Sequence, residues 1–435
     1  MQSKVVNSFV RFNRWSFIQV VRQTLVVLFP VTLLGSLARL VVKSFLDPNG
    51  FFYNILGIGA WLPLVWLRTM QFVFTSVTQI FFNLLGVLAC FICAYNTARF
   101  YRKDAQMAGV TGMFALLLVA YHYGRNPQMP INFHMALLGG KSLLLALLIG
   151  YGVGQLFRWK GPDQLAVKTV TWMNVRRQAF ASLWPLSVTT VLAMLVSLAI
   201  NSGSFYRAYS HTYTALAAAS QEPKSIWTVL LLSLALAALD WLGLGIPSSY
   251  RAPLNTTAYM ANLNYALAHG SAWHVPYKYL GSTLYNSFAN FGGDGLVLAL
   301  IVAILLFPGS TSLHRVARWS AVPTVFNFDY SSLVGLPVIL NPVFLLPFML
   351  LPLVNIAIAA GVTALGLIPA TPYPVLLGTP GPLIGFLATN GNWGTLVFTM
   401  LLLFLDIALY LPFVRLNFQV EAQLATATLG GEHDA

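Results

Sequence analysis

Long apolar runs, separated by short polar segments, dominate the pattern of positions along the chain. A helix rises about 1.5 Å per residue and the hydrocarbon layer of a bilayer is about 30 Å thick, so most of these runs are long enough to span it. The shortest, at 296–307, needs its neighbours to complete a crossing. The nine runs predict transmembrane helices over residues 24–42, 75–95, 105–120, 136–157, 180–200, 226–246, 296–307, 343–362 and 395–413.

Two segments between these runs break the apolar pattern. Residues 247–292 are rich in Asn, Ser, Tyr and Pro, and residues 325–342 read VFNFDYSSLVGLPVILNP. Polar, irregular backbone cannot face lipid, so at membrane depth it must be buried in protein or line a wet cavity. We therefore expect two re-entrant hairpins in an all-α polytopic membrane protein, and interrupted helices of this kind are where transporters place their substrate sites.

The basic residues predict the topology. Lys and Arg concentrate in loops on the cytoplasmic side of a membrane protein. If the basic clusters are cytoplasmic, residues 247–292 must make one net crossing, and about ten crossings follow with both termini in the cytoplasm. These clusters are at 4–22, Arg99 with Arg102 and Lys103, Arg158 with Lys160, Arg176 with Arg177, His314 with Arg315 and Arg318, and Arg415.

The pattern divides the chain near residue 165. Residues 1–165 hold regular helices and are expected to form a scaffold and dimerisation unit, because the GYGVG motif with Gly150, Gly152 and Gly154 allows close helix contact. Residues 166–420 hold the interrupted helices and are expected to bind substrate. Residues 421–435 form a polar tail.

The composition agrees with a membrane protein of this kind. Of the 435 residues, 57% are hydrophobic and 8% are charged, about a third of the charged fraction of a soluble chain. The chain has 24 Lys and Arg residues and 11 Asp and Glu residues. The basic residues lie at the ends of the apolar runs and form no dense patch, which argues against nucleic-acid binding. No small-residue cleavage site follows the first run, which is therefore expected to be a membrane helix and not a removable signal.

The sequence predicts no metal, no cofactor and no catalytic residue. Its two cysteines, Cys90 and Cys93, lie one helical turn apart in an apolar run without a second pair, which favours helix packing over a redox or metal motif. There is no Walker loop and no nucleophile with a matching base. Whether the chain takes part in an enzymatic reaction with another subunit stays open.

Four acidic residues occur where membrane depth is plausible, and each costs several kcal/mol if charged and unpaired there. Asp294 either caps the helix from Leu296 or faces a cavity. Asp406 is expected to make a bond between helices, and Asp240 is expected at the interface. Asp329 is the best candidate for a ligand contact, because the backbone around it cannot be regular.

An ordered series of motifs resembles one protein family. The chain is similar to the membrane subunit, enzyme IIC, of the bacterial phosphoenolpyruvate-dependent sugar phosphotransferase system, in its lactose, cellobiose and N,N'-diacetylchitobiose branch. Residues 335–355, GLPVILNPVFLLPFMLLPLVN, resemble the signature region of this family. Further similarity is seen at 28–36, 84–104, 179–185, 291–307, 376–398 and 408–415.

The resemblance implies an elevator-like fold, a homodimer in the bacterial inner membrane, and sugar bound in the second half. It implies presentation of the sugar to a cytoplasmic phosphocysteine subunit, enzyme IIB. The family motif Phe-Asn-x-Asn-Glu-Pro falls on residues 326–331, where Tyr330 replaces the Glu and Asp329 its neighbouring Asn; the family His after a tryptophan falls near Gly245. The predicted substrate-binding residues are Asn327, Asp329, Tyr330, Ser331, Trp241, Asp294 and Trp393.

Two functions remain open on the sequence. The first is a working permease for a β-linked disaccharide, with Asp329 in place of the Glu. The second is a transport-inactive sensor or scaffold that regulates a cytoplasmic output domain, since the family Glu and His are both replaced. The sugar, the output partner and the completeness of the chain are not given by these residues.

Overall fold

The protein is described by a computed structural model over residues 2–123, 131–164, 172–201, 211, 214–215, 225–245 and 256–431. Almost all regular structure in these residues is helical. The predicted helical class is therefore confirmed in its main feature.

The first half is a set of helices with one short strand pair. A π-helical turn at Val41–Leu46 extends the second helix, and a 3₁₀ turn at Gly140–Ser142 precedes the ninth. The helices are α1 (Gln2–Asn13), α2 (Ser16–Leu40), α3 (Phe51–Ile55), α4 (Ile58–Trp61), α5 (Leu64–Asn83), α6 (Leu85–Phe100), α7 (Ala105–Ala120), α8 (Met135–Leu138) and α9 (Leu143–Lys160), and the strands are β1 (Tyr121–Tyr123) and β2 (Ile131–Phe133).

The second half contains more short and broken helices. A 3₁₀ turn at Asp294–Leu296 leads into its central helix. The helices are α10 (Trp172–Ala181), α11 (Leu183–Asn201), α12 (Ile226–Trp241), α13 (Thr257–His269), α14 (Gly281–Phe288), α15 (Val297–Leu306), α16 (Thr311–Val325), α17 (Tyr330–Gly335), α18 (Pro342–Ala364), α19 (Gly381–Ala388) and α20 (Trp393–Gly431).

Each of the nine predicted apolar runs coincides with apolar helical structure in the described residues. Six helical stretches are long and apolar enough to cross a bilayer: Ser16–Leu46, Leu64–Phe100, Gly140–Lys160, Trp172–Ile200, Pro342–Ala364 and Trp393–Leu424. Three shorter apolar helices are Ala105–Ala120, Ile226–Trp241 and Asp294–Leu306.

Two features depart from the sequence-based picture. Strands β1 and β2 pair antiparallel, with Tyr121 opposite Phe133, so the fold is not entirely α-helical. The strand pairing supplies hydrogen-bond partners to the backbone groups that follow the end of α7, where the helix no longer supplies them. In addition, α20 continues through Gly431, so the polar segment from residue 421 is helical over its described part.

The close helix contact predicted from GYGVG is confirmed at two of its three glycines. A Cβ on Gly150 would lie 2.6 Å from the Cys90 carbonyl, and a Cβ on Gly154 would collide with Thr97, both on α6. Gly152 has nothing within 4 Å of its Cβ position. Helices α6 and α9 thus pack against each other through two of these glycines.

The centre of the second half is α15. Its side chains are buried nearly all round, as expected of a helix that is hydrophobic on every face. It packs between α16 and α20. This packing fixes the glycine-rich segment FGGDG, residues 291–295, which enters α15.

Helical structure breaks where residues 325–342 predicted a break. Between α16 and α18 the chain forms only the six-residue α17, and Asn327 and Leu340 adopt left-handed backbone angles at φ +65° and +57°. Asn341 ends this segment by accepting a hydrogen bond from the Val343 N–H as the N-cap of α18. In the other interrupted segment α13 and α14 are separated by an irregular stretch, and residues 246–255 lie outside the described part of the chain.

Candidate functional site

The loop between α16 and α17 is bonded to the glycine-rich entry of α15. The Gly292 N–H donates to Asn327 Oδ1 at 2.9 Å, and the Asp294 N–H donates to Asp329 Oδ2 at 2.8 Å. Asn327 Nδ2 donates to the Thr379 carbonyl at 3.1 Å. Two polar side chains of the predicted site therefore join three chain segments.

A glycine is required at the tightest point of this contact. Gly293 has φ +105° and ψ −166°, a backbone conformation open almost only to glycine. A Cβ built there would collide with the Asp329 carboxylate. The glycine at position 293 thus lets the backbone of the FGGDG segment approach the Asp329 side chain closely.

Asp294 is buried at the base of this contact. Its side chain is 1% exposed, and Asp294 Oδ1 accepts a hydrogen bond from the Tyr285 hydroxyl at 3.0 Å. The N-cap of α15 is Leu296, and no side chain caps that helix. The hydrogen bond from Tyr285 gives the Asp294 side chain a buried partner, and the choice between a cap of α15 and a cavity role stays a prediction.

Tyr330 and Ser331 point to different surroundings from Asp329. The Tyr330 hydroxyl donates to the Gly140 carbonyl at 2.9 Å, and its ring lies 5.5 Å from that of Phe82. Both partners belong to the first half, so Tyr330 links the two halves. Ser331 is fully buried.

The two tryptophans occupy separate positions. Trp241 ends α12 and is half-buried; its Nε1 donates to the Asn341 carbonyl at 3.3 Å. Trp393 begins α20, is 71% exposed, and its ring lies 5.2 Å from that of Phe386. The structure thus bonds Asp329 to the Asp294 N–H and Asn327 to the nearby Gly292 N–H, whereas Trp241 and Trp393 contact Asn341 and Phe386, outside this group of hydrogen bonds.

The remaining two intramembrane acids also have defined places. Asp406 on α20 accepts from Asn355 Nδ2 on α18 at 2.9 Å, which confirms the predicted bond between helices. Asp240 is 8% exposed, one residue before the end of α12, and lies within electrostatic range of the Tyr330 hydroxyl, as does Asp329. Asp240 is thus buried within the chain, and its expected position at the membrane interface stays a prediction.

A further set of polar residues was missed by the sequence analysis. Trp241 bonds to the Asn341 carbonyl, and Asn341 Nδ2 donates to Asn417 Oδ1 at 3.4 Å. Asn417 Nδ2 donates to Glu421 Oε1 at 3.2 Å, and Arg22 forms an ion pair with the same oxygen at 2.8 Å. The available signal was the Asn341-Pro342 pair, because Asn before Pro is typical of a helix start.

The chemistry of this region is that of binding and positioning. Carboxylate and amide oxygens accept hydrogen bonds, the amide and indole N–H groups donate them, and half-buried Asn327, Phe328, Tyr330 and Trp241 offer both polar and aromatic surface. Among the described residues, no group of three or more His, Cys, Asp and Glu side chains could hold a metal ion. A few fixed polar groups beside aromatic surface suit a small polar ligand.

Known proteins resemble the chain over most of its length. It is 23% identical over 422 residues to the oligo-beta-mannoside-specific EIIC component of Bacillus subtilis (strain 168), covering 93% of this chain and 90% of that protein. It is 24% identical over 421 residues to the lactose-specific EIICB component of Staphylococcus epidermidis, covering 94% of this chain and 68% of that protein. A shorter match, 36% identical over 130 residues, is to the cellobiose-specific EIIC component of Lactococcus lactis, covering 30% of this chain and 26% of that protein.

The structural and family comparisons complete this result. A crystal structure of the transporter ChbC, the IIC component of the N,N'-diacetylchitobiose-specific phosphotransferase system, matches over 96% of each chain with 19% identity and a TM-score of 0.42. The family described as "Phosphotransferase system, EIIC" matches residues 22–352, three quarters of the chain. The protein therefore belongs to the membrane EIIC family of the phosphotransferase system.

Proposed function

We propose that this chain is a sugar permease component specific for β-linked disaccharides. The observation that carries the proposal is the match along almost the whole chain to EIIC components whose names specify oligo-β-mannoside and lactose, with cellobiose in a shorter match. The sensor that the sequence left open has no comparable support, because the relatives named above are permease components.

The sugar site is proposed around the loop between α16 and α17. Asp329 and Tyr330 are the proposed polar contacts, with Trp241 as an aromatic surface next to them. Asn327, Ser331 and Asp294 complete the set, and their hydrogen bonds and burial suit a role in holding the loop in shape. Trp393 is proposed to cover the sugar from the start of α20.

The proposed partner is an enzyme IIB-type subunit. The relative from Staphylococcus epidermidis is named as an EIICB component, and this chain covers 68% of its length. A separate IIB partner would meet the sugar at the cytoplasmic side, where its phosphocysteine would transfer the phosphoryl group to a sugar hydroxyl and be left as the free cysteine. We propose no resident cofactor for this chain.

We propose that the chain lies in the inner membrane of a bacterium. It crosses that membrane ten times, has two re-entrant hairpins and has both termini on the cytoplasmic side. Cysteines introduced at Asn126 and Ser312 test it in intact cells with a membrane-impermeant maleimide. We expect Asn126→Cys to react from outside and Ser312→Cys to react only after permeabilisation. Native Cys90 and Cys93 are fully buried and add little background. Labelling of Ser312→Cys in intact cells would contradict the proposed orientation.

The function is tested by calorimetry on the chain in phosphatidylcholine nanodiscs, which avoids sugar-based detergents. Cellobiose, lactose and N,N'-diacetylchitobiose are titrated, with maltose as the control because it differs from cellobiose only in the configuration of its linkage. We expect at least one β-linked sugar to bind and maltose to bind at least about tenfold more weakly. Binding of none of the β-linked sugars would overturn the proposal.

A further inference from the structure

A cavity lies between the two halves of the chain, and none of the proposed sugar-site residues lines it. Its volume is about 800 Å³, within the usual range for ligand pockets. We call it the arginine cleft. It is lined by Arg22, Gln23, Val26, Val27, Asn96, Arg99 and Phe100 from α2 and α6, and by Ser310, Ser312, Leu313, Val316, Gly335, Pro337 and Glu421 from the second half.

The arginine cleft carries an excess of positive charge. Its charged lining residues are Arg22, Arg99 and Glu421. Glu421 is already engaged, because Glu421 Oε1 accepts from Arg22 at 2.8 Å and from Asn417 at 3.2 Å. Arg99 is exposed and forms no ion pair with any residue that the structure describes. One guanidinium is therefore available to an anion from outside the chain.

The part of the lining that comes from the second half adds hydrogen-bond donors. Helix α16 starts here with Ser310 as its N-cap; the Ser310 side chain makes no capping hydrogen bond, and the first turn has no acidic residue. Helix N-termini favour negative charge because their first N–H groups lack partners in the helix. The Ser310 and Ser312 hydroxyls lie in the same lining, so the donors and Arg99 border one space.

The remaining surface of the cleft is apolar and open. Val26, Val27 and Phe100 are about half exposed and lie on the same two helices as the arginines. A ligand with a compact anionic group and an apolar portion would contact both kinds of surface. Basic pockets between membrane helices bind phospholipid headgroups through the same combination.

We propose that the arginine cleft binds a phosphate ester, with its phosphate between Arg99 and the start of α16. An anionic phospholipid headgroup and a soluble sugar phosphate share this chemistry, and the half-exposed valines favour the lipid. Because Arg99 belongs to the first half and α16 to the second, the bound phosphate contacts both halves at once. Its binding therefore stabilises the relative arrangement seen in this structure.

The experiment uses the full chain in a neutral detergent that contains no sugar. Dihexanoyl phosphatidylglycerol and glucose 6-phosphate are titrated by calorimetry, with two controls that have no net charge: dihexanoyl phosphatidylcholine, whose choline cation balances its phosphate, and glucose. We expect dihexanoyl phosphatidylglycerol to bind and the controls to bind at least about tenfold more weakly. Glucose 6-phosphate binding as tightly as the lipid would support a soluble ester as the ligand. Binding of neither phosphate probe would overturn the site.

Three variants locate the bound group. Arg99→Gln should weaken the binding of the phosphate probe at least about tenfold. Ser312→Glu should do the same by placing a carboxylate in the cleft, and it should leave the melting temperature unchanged because a negative charge suits the first turn of a helix. The matched control Arg102→Gln removes an exposed arginine that does not line the cleft and should bind like the parent.

The variants also show how the proposal fails. It is overturned if Arg99→Gln and Ser312→Glu bind the probe as tightly as the parent, or if Arg102→Gln weakens binding as much as they do. Should Arg99→Gln not fold, Ser312→Glu decides the question alone. Cellobiose binding, measured on the same samples, separates a failure of this site from a failure of the proposed sugar site.

Discussion

At the scale of single residues, Asp329 combines a structural contact with a proposed role in binding. Its Oδ2 accepts the Asp294 N–H at 2.8 Å, and the side chain is 5% exposed. Asp329→Asn keeps an acceptor for that N–H and removes the charge. We therefore expect the melting temperature to stay close to that of the parent, and cellobiose affinity to fall by about 1.5–3 kcal/mol, the range for hydrogen bonds to a charged group.

Calorimetry and thermal unfolding of the same samples separate the two roles of Asp329. Asp406→Asn is the matched control, since it makes the same chemical change in a residue bonded to Asn355. Its sugar affinity should equal that of the parent. A lower melting temperature with unchanged affinity in Asp329→Asn would assign Asp329 a structural role only.

Gly293 allows a second test at the residue scale. Gly293→Ala would force φ +105° on a residue with a Cβ and press that atom into Asp329. We expect a loss of stability of about 1–3 kcal/mol, the cost of such strained backbone, seen as a lower melting temperature. Gly152→Ala is the control because its Cβ position is open, and it should be neutral or slightly stabilising. Equal stability of the two variants would mean that the loop can move away from Gly293.

The sequence predicted the residues of this loop better than their partners. Asn327 and Asp329 stood out because polar residues and irregular backbone are costly at membrane depth. Their partners Gly292, Asp294 and Thr379 are 35 to 52 positions away in the chain. No local pattern encodes such pairs, because the packing of α15 brings them together.

At the scale of helices, the bond between α18 and α20 makes a distinct prediction. Asn355 is fully buried, and its Nδ2 donates to Asp406 Oδ2 at 2.9 Å and to the Phe288 carbonyl at 3.0 Å. Asn355→Leu removes both bonds and leaves a buried carboxylate with one partner fewer. We expect a loss of about 1–3 kcal/mol in unfolding free energy.

Reversible unfolding in detergent measures this loss. Asp406→Asn should cost less than Asn355→Leu, because an amide oxygen in place of the carboxylate can still accept from Asn355 Nδ2. If Asn355→Leu were as stable as the parent, the bond would contribute nothing to holding α18 against α20.

The apolar runs predicted where helices lie, but they did not predict where a helix is interrupted within a run. All nine runs fall on apolar helical stretches, because a helix is the structure that satisfies its own backbone in lipid. The break at Leu84, where α5 gives way to α6, was missed. It lies beside Gly86, whose Cβ position is 2.6 Å from the Leu138 carbonyl. That contact with a distant segment leaves no signature in the run itself.

At the scale of the whole molecule, polar contacts and several helix interfaces join the halves in the described part of the chain, among them α11 against α7 and α1 against α20. Tyr330 bonds to Gly140, Arg22 pairs with Glu421, and α17 packs against α2. The elevator-like fold that the resemblance implies would move the second half relative to the first, and such a movement must break or exchange these contacts. The first half therefore suits the role of a fixed scaffold, which is where a dimer contact is expected.

The last prediction concerns that dimer contact. Gly150 and Gly154 are occupied by α6 of the same chain, so a partner must use the outer surface of α9, where Leu148 is half exposed and Gly152 is open. We expect Leu148→Cys to give disulfide-linked dimers in native membranes under mild oxidation. Val397→Cys is the matched control, since Val397 is similarly exposed on α20 of the second half and should stay monomeric. The outcome is read by gel electrophoresis without reductant, and the native cysteines are buried. Dimers from Val397→Cys alone would move the interface to the second half, because two chains can form the disulfide only where their cysteine Cα atoms come within about 7 Å.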